Sequence, residues 1–418
     1  MNAVSLEEAR ALSVAASHIL DAEEIGLDAS LGRVLRQDAA ADCDLPPSDV
    51  AVMDGYCLRA SGTAGAAEGR PVSLRIAGIA KAGAVVAGCA PGVGQGECMA
   101  ITTGAALAAG ADTVVRTEDA REHAGSIVIT RPVPPGMHVR RQGEVWKRGD
   151  VVRLAGRRVT PQILAVLAAF GTDRVRVARK PRVGILGTGD ELVALGSVPG
   201  PGVLRASNPW MLRGLAVGLG CEVETPSLCP DDTSEIARRL EAFGGCDAVV
   251  VSGGVSGGRF DLVPDALRAI GAEVLFAGVR MRPGKGTIAA VRSGRAIFCL
   301  PGTPVGAFVG FHAIVRPALR AMLGVSGEDR DRIWAAVAAP IEKPEGLARL
   351  VPARLRSDCR DSGASGDLRS CEGGLVVEPV ELCGGGDVVG LADVTCLVTI
   401  GEAGRSVRAG DPVEVEML

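Results

Sequence analysis

The sequence has few aromatic residues, few histidines and no block of basic residues. Of its 418 residues, three are Trp, one is Tyr and seven are Phe, so the aromatic platforms on which nucleic-acid bases stack are not expected. Lys and Arg number 45 against 49 Asp and Glu, and a net charge of −4 without a basic stripe is atypical of a nucleic-acid binder. The four histidines are scattered along the sequence, so they form no cluster that would indicate a zinc site. We therefore expect neither a nucleic-acid partner nor zinc.

The twelve cysteines include no Cys-x-x-Cys pair, and the two closest in sequence are Cys221 and Cys229. A disulfide framework or a pair of metal-binding thiols is therefore not expected. Most cysteines lie in apolar runs, and no secretory segment follows Met1. We expect reduced, buried thiols in a cytoplasmic protein.

One uncharged stretch, Ala296 to Val315, is long enough to cross a bilayer. Pro301-Gly302-Thr303-Pro304 interrupts it, and His312 lies in its second half. These residues favour a buried strand, a tight turn and a helix, so no membrane span is expected.

The hydrophobic pattern changes along the chain. Ser5-Leu6-Glu7-Glu8 predicts a capped helix that runs to about Ala22, and short β-like runs follow between Arg70 and Pro135. From Arg182 to Val279, strand and helix patterns alternate. This alternation predicts a parallel, doubly wound α/β sheet with its ligand at the carboxyl ends of the strands. After Gly324 the pattern is β-like again, which indicates a second small β-domain.

Each loop that follows a predicted strand of the α/β region is rich in Gly or carries acids. Gly187-Thr188-Gly189-Asp190-Glu191-Leu192 is close to a dinucleotide fingerprint, but Leu192 replaces the third glycine, so the Rossmann interpretation fails. Two interpretations of this loop remain. Its backbone either approaches an anion beside two carboxylates or forms a simple structural turn. In the next loop Asp232 is explained as a helix N-cap, whereas Asp231 has no such explanation.

The glycine-rich loop from Ser252 to Asp261 offers a wide pocket lined by backbone NH groups, which suits phosphate. Asp261 either caps the following helix or faces a metal. Gly254 to Gly258 also matches the nucleophile elbow of α/β-hydrolases. However, Ser256 lies several residues past the strand and His312 is the only candidate base downstream, so a serine hydrolase is disfavoured.

Three cations, Arg280, Arg282 and Lys285, follow the last strand of the α/β series. They form either a solvated turn or an anion clamp, and their spacing does not match a Walker A loop. Pro304 fits the first position of a helix whose NH groups could face a ligand. Anion cradles, acids able to hold Mg²⁺ and basic anchors together favour a phosphorylated or nucleotide-like ligand.

Further motifs occur in a fixed order over nearly the whole chain. They are Pro46-Pro47, Met53-Asp54-Gly55-Tyr56, Thr103-Gly104-Ala105, Gly110-Ala111-Asp112, Arg140-Arg141-x-Gly143-Glu144, Thr188-Gly189-Asp190-Glu191-Leu192, Ser252-Gly253-Gly254-Val255-Ser256, Pro283-Gly284-Lys285 and Leu300-Pro301-Gly302-x-Pro304. In this order the chain resembles the molybdopterin molybdenumtransferases, the family that includes the gephyrin E domain.

The resemblance implies an elongated, multidomain subunit of class α/β plus β that forms a homodimer. Its domains would be a discontinuous N-terminal helix and linking domain (1–45 and 138–177), a β-rich domain (46–137), a doubly wound molybdopterin-binding α/β domain (178–325) and a C-terminal β-barrel (326–418). The implied reaction belongs to molybdenum cofactor biosynthesis: Mg²⁺-dependent insertion of molybdenum from molybdate into the dithiolene of adenylylated molybdopterin, with release of AMP. Implied partners are molybdopterin adenylyltransferase and apo-molybdoenzymes.

The resemblance also implies the site residues. The implied catalytic residues are Asp54, Thr103, Glu191, Asp231, Asp261 and Lys285. Of these, Glu191, Asp231 and Asp261 are the implied metal ligands, and Asp54 and Thr103 are expected to reach the α/β domain of the second subunit. The implied cofactor-binding residues are Gly187, Thr188, Gly189, Ser252, Gly253, Gly254, Ser256, Arg259, Arg282, Pro301 and Pro304.

Several positions depart from the family pattern near this site. Arg259 stands where family members usually carry an acid, Thr303 replaces Asn, Gly286 replaces Pro, and Ala206 replaces an acid. An added guanidinium at Arg259 is expected to favour an anionic pterin and to weaken Mg²⁺ binding. Two alternatives therefore stay open: a non-catalytic carrier or chaperone of molybdopterin or its molybdenum form, and a different enzyme on the same α/β domain, such as a nucleotide pyrophosphatase.

Overall fold

The computed structural model describes residues 3–83, 92–255, 261–326, 332–357 and 374–418. Packing divides the chain into two units. One unit contains the residues up to Gln37, Ala155–Pro161 and Arg174–Leu418, and the other contains Asp38–Leu154 and Gln162–Asp173. The finer division into four domains stays a prediction.

The α-helices among the described residues are short. They are α1 Leu6–Ala15, α2 Pro161–Ala169, α3 Asn208–Gly218, α4 Thr233–Ala242, α5 Val263–Ala269, α6 Pro304–Gly310 and α7 Arg316–Leu323, with a π-helical turn, Phe311–Val315, between α6 and α7. Within the described ranges, each helix is too short or too polar to traverse a bilayer.

The first helix is shorter than the sequence predicts. Ser5 caps α1 as expected, because its side chain accepts a hydrogen bond from the backbone of Glu8, but the helix ends at Ala15 and not near Ala22. Ala22–Gly26 instead forms strand β1, which pairs along its full length with a later strand. Tertiary pairing thus overrides the helical pattern of these residues.

The first twelve strands precede the α/β region. They are β1 Ala22–Gly26, β2 Ala39–Ala40, β3 Val50–Ala51, β4 Gly55–Leu58, β5 Val72–Ala80, β6 Glu97–Ile101, β7 Thr113–Arg116, β8 Arg121–His123, β9 Ser126–Ile129, β10 Val139–Arg140, β11 Val151–Val152 and β12 Arg174–Ala178. Six of them form one sheet in the order β7-β4-β6-β5-β9-β8, which is the predicted β-rich region. Its core includes Leu58, Cys98 and Ile127, which are fully buried.

The next ten strands build the α/β region and its loops. They are β13 Arg182–Thr188, β14 Leu192–Val193, β15 Leu204–Arg205, β16 Glu222–Val223, β17 Ser227–Cys229, β18 Ala248–Ser252, β19 Glu273–Ala277, β20 Met281–Arg282, β21 Ile288–Arg292 and β22 Arg295–Leu300. The main sheet has the order β16-β13-β18-β22-β21-β19, and β17 pairs with the later part of β13.

The prediction of a wholly parallel sheet is wrong at one strand. β21 is antiparallel to both β22 and β19, so it runs against every other strand of the sheet. A two-residue turn, Ser293 and Gly294 with φ of 50° and 78°, joins β21 to β22 as a hairpin. β19 still runs in the same direction as β13, β18 and β22, so its carboxyl end lies at the same edge of the sheet.

Helices cover both faces of this sheet. Ile185 and Val250 belong to a core shared with α3 and α6, whereas Leu186 and Val251 belong to a core shared with α4 and α5. Because alternate residues of a strand point to opposite faces, this split makes two separate layers of helix. The sheet is therefore doubly wound, as the sequence predicts.

The last five strands close into a barrel. They are β23 Arg332–Val337, β24 Ala348–Ser357, β25 Leu375–Pro379, β26 Cys396–Ile400 and β27 Pro412–Met417. Their order is β24-β25-β23-β27-β26, and β26 pairs back with β24. The predicted C-terminal β-barrel is confirmed.

The stretch Ala296 to Val315 has the expected structure of a buried strand, a turn and a helix. His312 lies in its π-helical turn with 4% of its surface exposed, between the rings of Phe308 and Phe311. Neither ring nitrogen has a hydrogen-bond partner in the described structure. Burial, with a further contribution from Arg316, lowers the pKa of His312 to about 3.

We predict that His312 makes the fold sensitive to acid. The unfolded chain protonates this ring near pH 6.5 and the folded chain only near pH 3, so stability falls as the pH drops between these values. His312→Phe should reduce this fall in the free energy of unfolding, measured by urea denaturation from pH 7 to pH 4. His123→Gln, at an exposed position, serves as the control and should keep the wild-type pH dependence. If the free energy of unfolding showed the same pH dependence in all three proteins, His312 would not be the cause of the acid sensitivity.

Candidate functional site

The candidate site lies where three neighbouring parallel strands end. The register places Gly187 of β13 beside Ser252 of β18, and Ser252 beside Leu300 of β22. The loops that follow the three strands therefore leave the sheet at one edge. Several predicted residues line a single pocket there, namely Thr188, Glu191, Ser252 and Pro304.

Asn208, the first residue of α3, connects two of these loops. Its Nδ2 donates hydrogen bonds to Ser252 Oγ at 3.0 Å and to the carbonyl oxygen of Gly302 at 2.7 Å. Sequence reasoning identified Asn208 only as a helix start. The signal that could have found it is a polar side chain at the start of a helix at the ligand-binding edge of the sheet.

Two buried polar atoms at the pocket have no hydrogen-bond partner within the described residues. They are Thr188 Oγ1 and Asn208 Oδ1, on side chains that are almost fully buried. Buried polar atoms in native proteins are nearly always paired, so each exception calls for an explanation. Both residues line the pocket, where a bound ligand would supply the missing partners.

Gly253 allows the backbone to pass close to β13. It has φ of 116°, and an added Cβ would lie 2.6 Å from Thr188 Oγ1. A larger residue would therefore push Thr188 out of place and adopt a strained backbone conformation. Ser256 and Arg259, which continue this loop, lie outside the described residues.

Three acidic residues lie within electrostatic reach of a fourth, Asp231. Asp190 Oδ1 accepts a hydrogen bond from the backbone of Asp231 at 3.0 Å. Burial raises the pKa of the Asp231 carboxyl group, a hydrogen bond from the Asp190 backbone opposes this shift, and the charges of the neighbouring acids raise the pKa further. These neighbouring acids are Asp190, Glu191 and Asp261. Asp232, by contrast, caps α4 as predicted.

The three predicted metal ligands, Glu191, Asp231 and Asp261, do not form a complete metal site on their own. Among the described residues, no three His, Cys, Asp or Glu side chains form a group that could hold a metal ion. Mg²⁺ is commonly bound by one or two carboxylates together with waters and substrate phosphates. Acids that repel one another beside a pocket for an anion fit that donor set, because a cation would offset their repulsion.

The cations after β19 divide between two roles. Arg280 is engaged in the fold, since its Nε contacts Glu402 at 2.9 Å and its Nη1 donates to the carbonyl oxygen of Ala3. The three-cation clamp considered from the sequence is therefore wrong for Arg280. Arg282 and Lys285 are exposed.

The barrel adds a cation that the sequence did not indicate. β20 pairs with β24 in a register that places Arg282 beside Arg349. Burial lowers the pKa of Arg349, and the charge of Arg282 lowers it further. The two guanidinium groups therefore repel each other, and an anion bound beside them would offset this repulsion. The sequence separates these residues widely and gives no local signal of their contact.

The turn after β22 is held from two sides. Pro304 is the first residue of α6, as predicted, and the carbonyl oxygen of Gly302 accepts the bond from Asn208. The backbone NH of Val305 donates to the carbonyl oxygen of Gly385. The expectation that the NH groups of this helix start face a ligand is therefore wrong for Val305.

Asp54 and Thr103 belong to the other unit and contact each other. Asp54 Oδ1 accepts hydrogen bonds from the backbone NH of Thr103 at 2.6 Å and from its hydroxyl at 2.8 Å. These two bonds, the backbone one first, lower the pKa of Asp54. The pair thus forms a fixed carboxylate that stays charged at neutral pH.

We predict that Asn208 stabilises the edge of the sheet. Asn208→Ala removes two hydrogen bonds and leaves the carbonyl oxygen of Gly302 and Ser252 Oγ without this donor, which should cost about 1–3 kcal/mol of unfolding free energy. Ser207→Ala is the matched control, because Ser207 makes no capping bond with its side chain and its loss should cost less than about 0.5 kcal/mol. Urea denaturation of both variants measures the difference. Equal losses would contradict the role of Asn208.

Two family descriptions match the chain in succession. "MoeA N-terminal region (domain I and II)" matches residues 4–171, and "Probable molybdopterin binding domain" matches residues 184–321. The molybdopterin molybdenumtransferase of Staphylococcus aureus strain Mu50 is 32% identical over 415 residues, which cover 99% of this chain and 95% of that protein. The similarity thus extends over both units.

Two solved structures are similar over the full length. Both are of the molybdopterin biosynthesis MoeA protein from Pyrococcus horikoshii. One has a TM-score of 0.83 at 28% identity and covers 100% of both chains. The other has a TM-score of 0.80 at 30% identity and covers 100% of this chain and 99% of that one. They confirm the predicted fold class.

The predicted enzyme class rests on the same matches. Curated relatives of 30–32% identity over nearly the full length carry the name of this transferase. The motifs, the doubly wound sheet, the C-terminal barrel and these full-length similarities agree, and the chain belongs to the molybdopterin molybdenumtransferase family, which acts in molybdenum cofactor biosynthesis.

Proposed function

We propose that this protein inserts molybdenum from molybdate into the dithiolene of adenylylated molybdopterin and releases AMP in a Mg²⁺-dependent step. The observation that carries the proposal is the pocket at the carboxyl edge of the sheet. There, two unpartnered buried polar atoms, on Thr188 and Asn208, lie in the same pocket as Glu191. A ligand that brings both hydrogen-bonding groups and phosphates suits this combination.

The anionic parts of the substrates are assigned to backbone and basic groups. We assign a phosphate to the backbone of Gly254. The predicted roles of Gly187, Gly189 and Gly253 as phosphate-binding backbone are not supported, because the NH groups of Gly189 and Gly253 donate to the carbonyl oxygens of Cys229 and Leu300, and the side chains of Pro209 and Leu228 fill the space beside Gly187. Arg282 and Lys285 attract the oxyanions, and we add Arg349 because it lies beside Arg282. Ser252 and Pro301 shape the pocket between β18 and β22.

Glu191, Asp231 and Asp261 are assigned to Mg²⁺, completed by phosphate oxygens of the substrate. When bound, Mg²⁺ neutralises charge on the phosphate that leaves as AMP. Burial and the charges of its neighbours raise the pKa of Asp231. A bound cation would therefore have a large effect on the charge state of this carboxyl group.

Asp54 and Thr103 are assigned to the site of a second copy of the chain in a homodimer. Support comes from their geometry, since a carboxylate fixed by two hydrogen bonds needs no other partner in its own unit. The bonds keep Asp54 charged and oriented before substrate arrives. We propose the cytoplasm as the location of the protein.

We predict that Asp261 is needed for turnover. Asp261→Ala should lower the rate of AMP release from adenylylated molybdopterin by at least about 100-fold, because loss of a metal ligand removes several kcal/mol of charge stabilisation. The wild-type rate should require both molybdate and Mg²⁺. The assay separates AMP chromatographically in the presence and absence of each.

Asp265→Ala is the matched control. Asp265 lies four residues further on, in α5, and its exposed carboxylate pairs with Arg268 at 2.7 Å. Its variant loses the same charge and should release AMP within about twofold of the wild-type rate. Tight binding of the pterin by wild-type protein without release of AMP would contradict the proposal and favour a carrier. Hydrolysis of a nucleotide diphosphate without molybdate would favour a pyrophosphatase.

We predict that Asp54 and Asp261 act together across two copies of the chain. Asp54→Asn and Asp261→Ala should each be inactive alone. Co-expressed in equal amounts, they should recover about one quarter of wild-type activity, because half of the dimers are mixed and each mixed dimer has one intact site. If both residues served the same copy, every site in the mixed dimer would carry one defect and no activity would return.

A further inference from the structure

A second cavity, of about 530 Å³, lies at the opposite edge of the α/β sheet. Lys180, just before β13, and residues 217–220, at the end of α3, form part of its wall. β13 has seven residues at about 3.3 Å each, so roughly 20 Å separate this edge from the pocket at Thr188. The cavity is therefore no part of the site described above. We call it the basic cavity.

The basic cavity is lined by five cations, Arg33, Arg158, Lys180, Arg316 and Arg320. Its lining, in the part of the chain that the structure describes, contains no Asp or Glu. An excess of one charge in a concave surface focuses the electrostatic potential and attracts ions of opposite charge. The five cations outnumber the acidic side chains of the lining, so the cavity favours anions over cations.

Arg33 and Arg316 have carboxylate partners outside the lining, and Arg320 is also engaged in the fold. Arg33 pairs with Glu23, and Arg316 pairs with Glu416 at 3.1 Å. In the described chain neither Arg158 nor Lys180 lies within 4 Å of a carboxylate. These two side chains therefore supply positive charge that the fold itself does not balance.

The guanidinium groups are held in place by the backbone. Arg316 is 7% exposed and donates to the carbonyl oxygen of Met417 at 2.9 Å. Arg158 Nη1 donates to the carbonyl oxygen of Gly32 at 2.8 Å, and Arg33 donates to that of Ala178 at 2.8 Å. Fixed guanidinium forks lose little side-chain entropy when they bind a phosphate in bidentate fashion.

The remaining wall is open and partly apolar. A Cβ added at Gly32 or Gly218 would meet no atom within 4 Å, so a ligand can approach the backbone there. Leu31, Val217 and Leu219 form apolar parts of the lining. A volume of about 530 Å³ lies in the range of small-molecule sites, which is about 300–1,000 Å³.

We propose that the basic cavity binds a small polyanion with two or more phosphate groups, either inorganic or part of a nucleotide. The fixed guanidinium groups of Arg33, Arg158 and Arg316 contact the phosphate oxygens, and Lys180 adds charge at the mouth. Nothing in this assignment depends on the reaction proposed for the other edge of the sheet.

Calorimetric titration of the full chain with inorganic triphosphate and with ATP, at 150 mM salt and without divalent cations, tests the proposal. We expect one binding site per chain for at least one probe. Lys180→Glu should weaken its affinity at least tenfold. Arg157→Glu is the matched control, since it makes the same change of net charge at an exposed residue that does not line the cavity, and it should change the affinity less than twofold.

Two further variants keep the test decisive. Gly218→Trp should block binding, because Gly218 lines the cavity and the indole ring would occupy space that the ligand needs. Lys147→Ala, at an exposed residue that lines neither the basic cavity nor the candidate site, should leave binding unchanged. Absence of binding at 1 mM of both probes, equal losses in Lys180→Glu and Arg157→Glu, or loss in Lys147→Ala would each overturn the proposal. Unfolding curves of the variants show that each is folded.

Discussion

The parallel, in-register pairing of β13, β18 and β22 is the constraint on which the candidate site depends. It brings Thr188, Ser252 and Pro301 to one edge although they are far apart in sequence. A shift of one residue in this pairing would turn the side chains of a strand to the other face of the sheet. The buried cores on both faces prevent such a shift, so packing energy fixes the position of the loops that carry the chemistry.

Helix α3 and the C-terminal barrel contribute residues to the candidate site in addition to those of the sheet. α3 begins at the candidate site with Asn208 and ends beside the basic cavity with Gly218, so one rigid element reaches both edges of the sheet. The barrel provides Arg349 beside Arg282, and its Gly385 accepts a hydrogen bond from Val305. Acids and cations thus come from different elements, and the balance between them, not any single motif, determines which anion the site can hold.

Sequence patterns predicted the parts of this molecule that depend on local chemistry. The caps at Ser5 and Asp232 and the proline at the start of α6 are present where short-range rules place them. The errors have a common cause in long-range pairing. Ala22–Gly26 is a strand because β12 pairs with it, and β21 enters the sheet because its hairpin with β22 turns it back. Arg349 was missed and Arg280 was assigned to the wrong role for the same reason, since their partners lie in other elements.

We propose that molybdenum is transferred at the carboxyl edge of the sheet. Anomalous diffraction at the molybdenum edge, from crystals grown with adenylylated molybdopterin and molybdate, tests it most directly. We expect an anomalous peak beside Thr188, Ser252 and the acids Glu191, Asp231 and Asp261. A peak in the basic cavity, with none at the carboxyl edge, would contradict it.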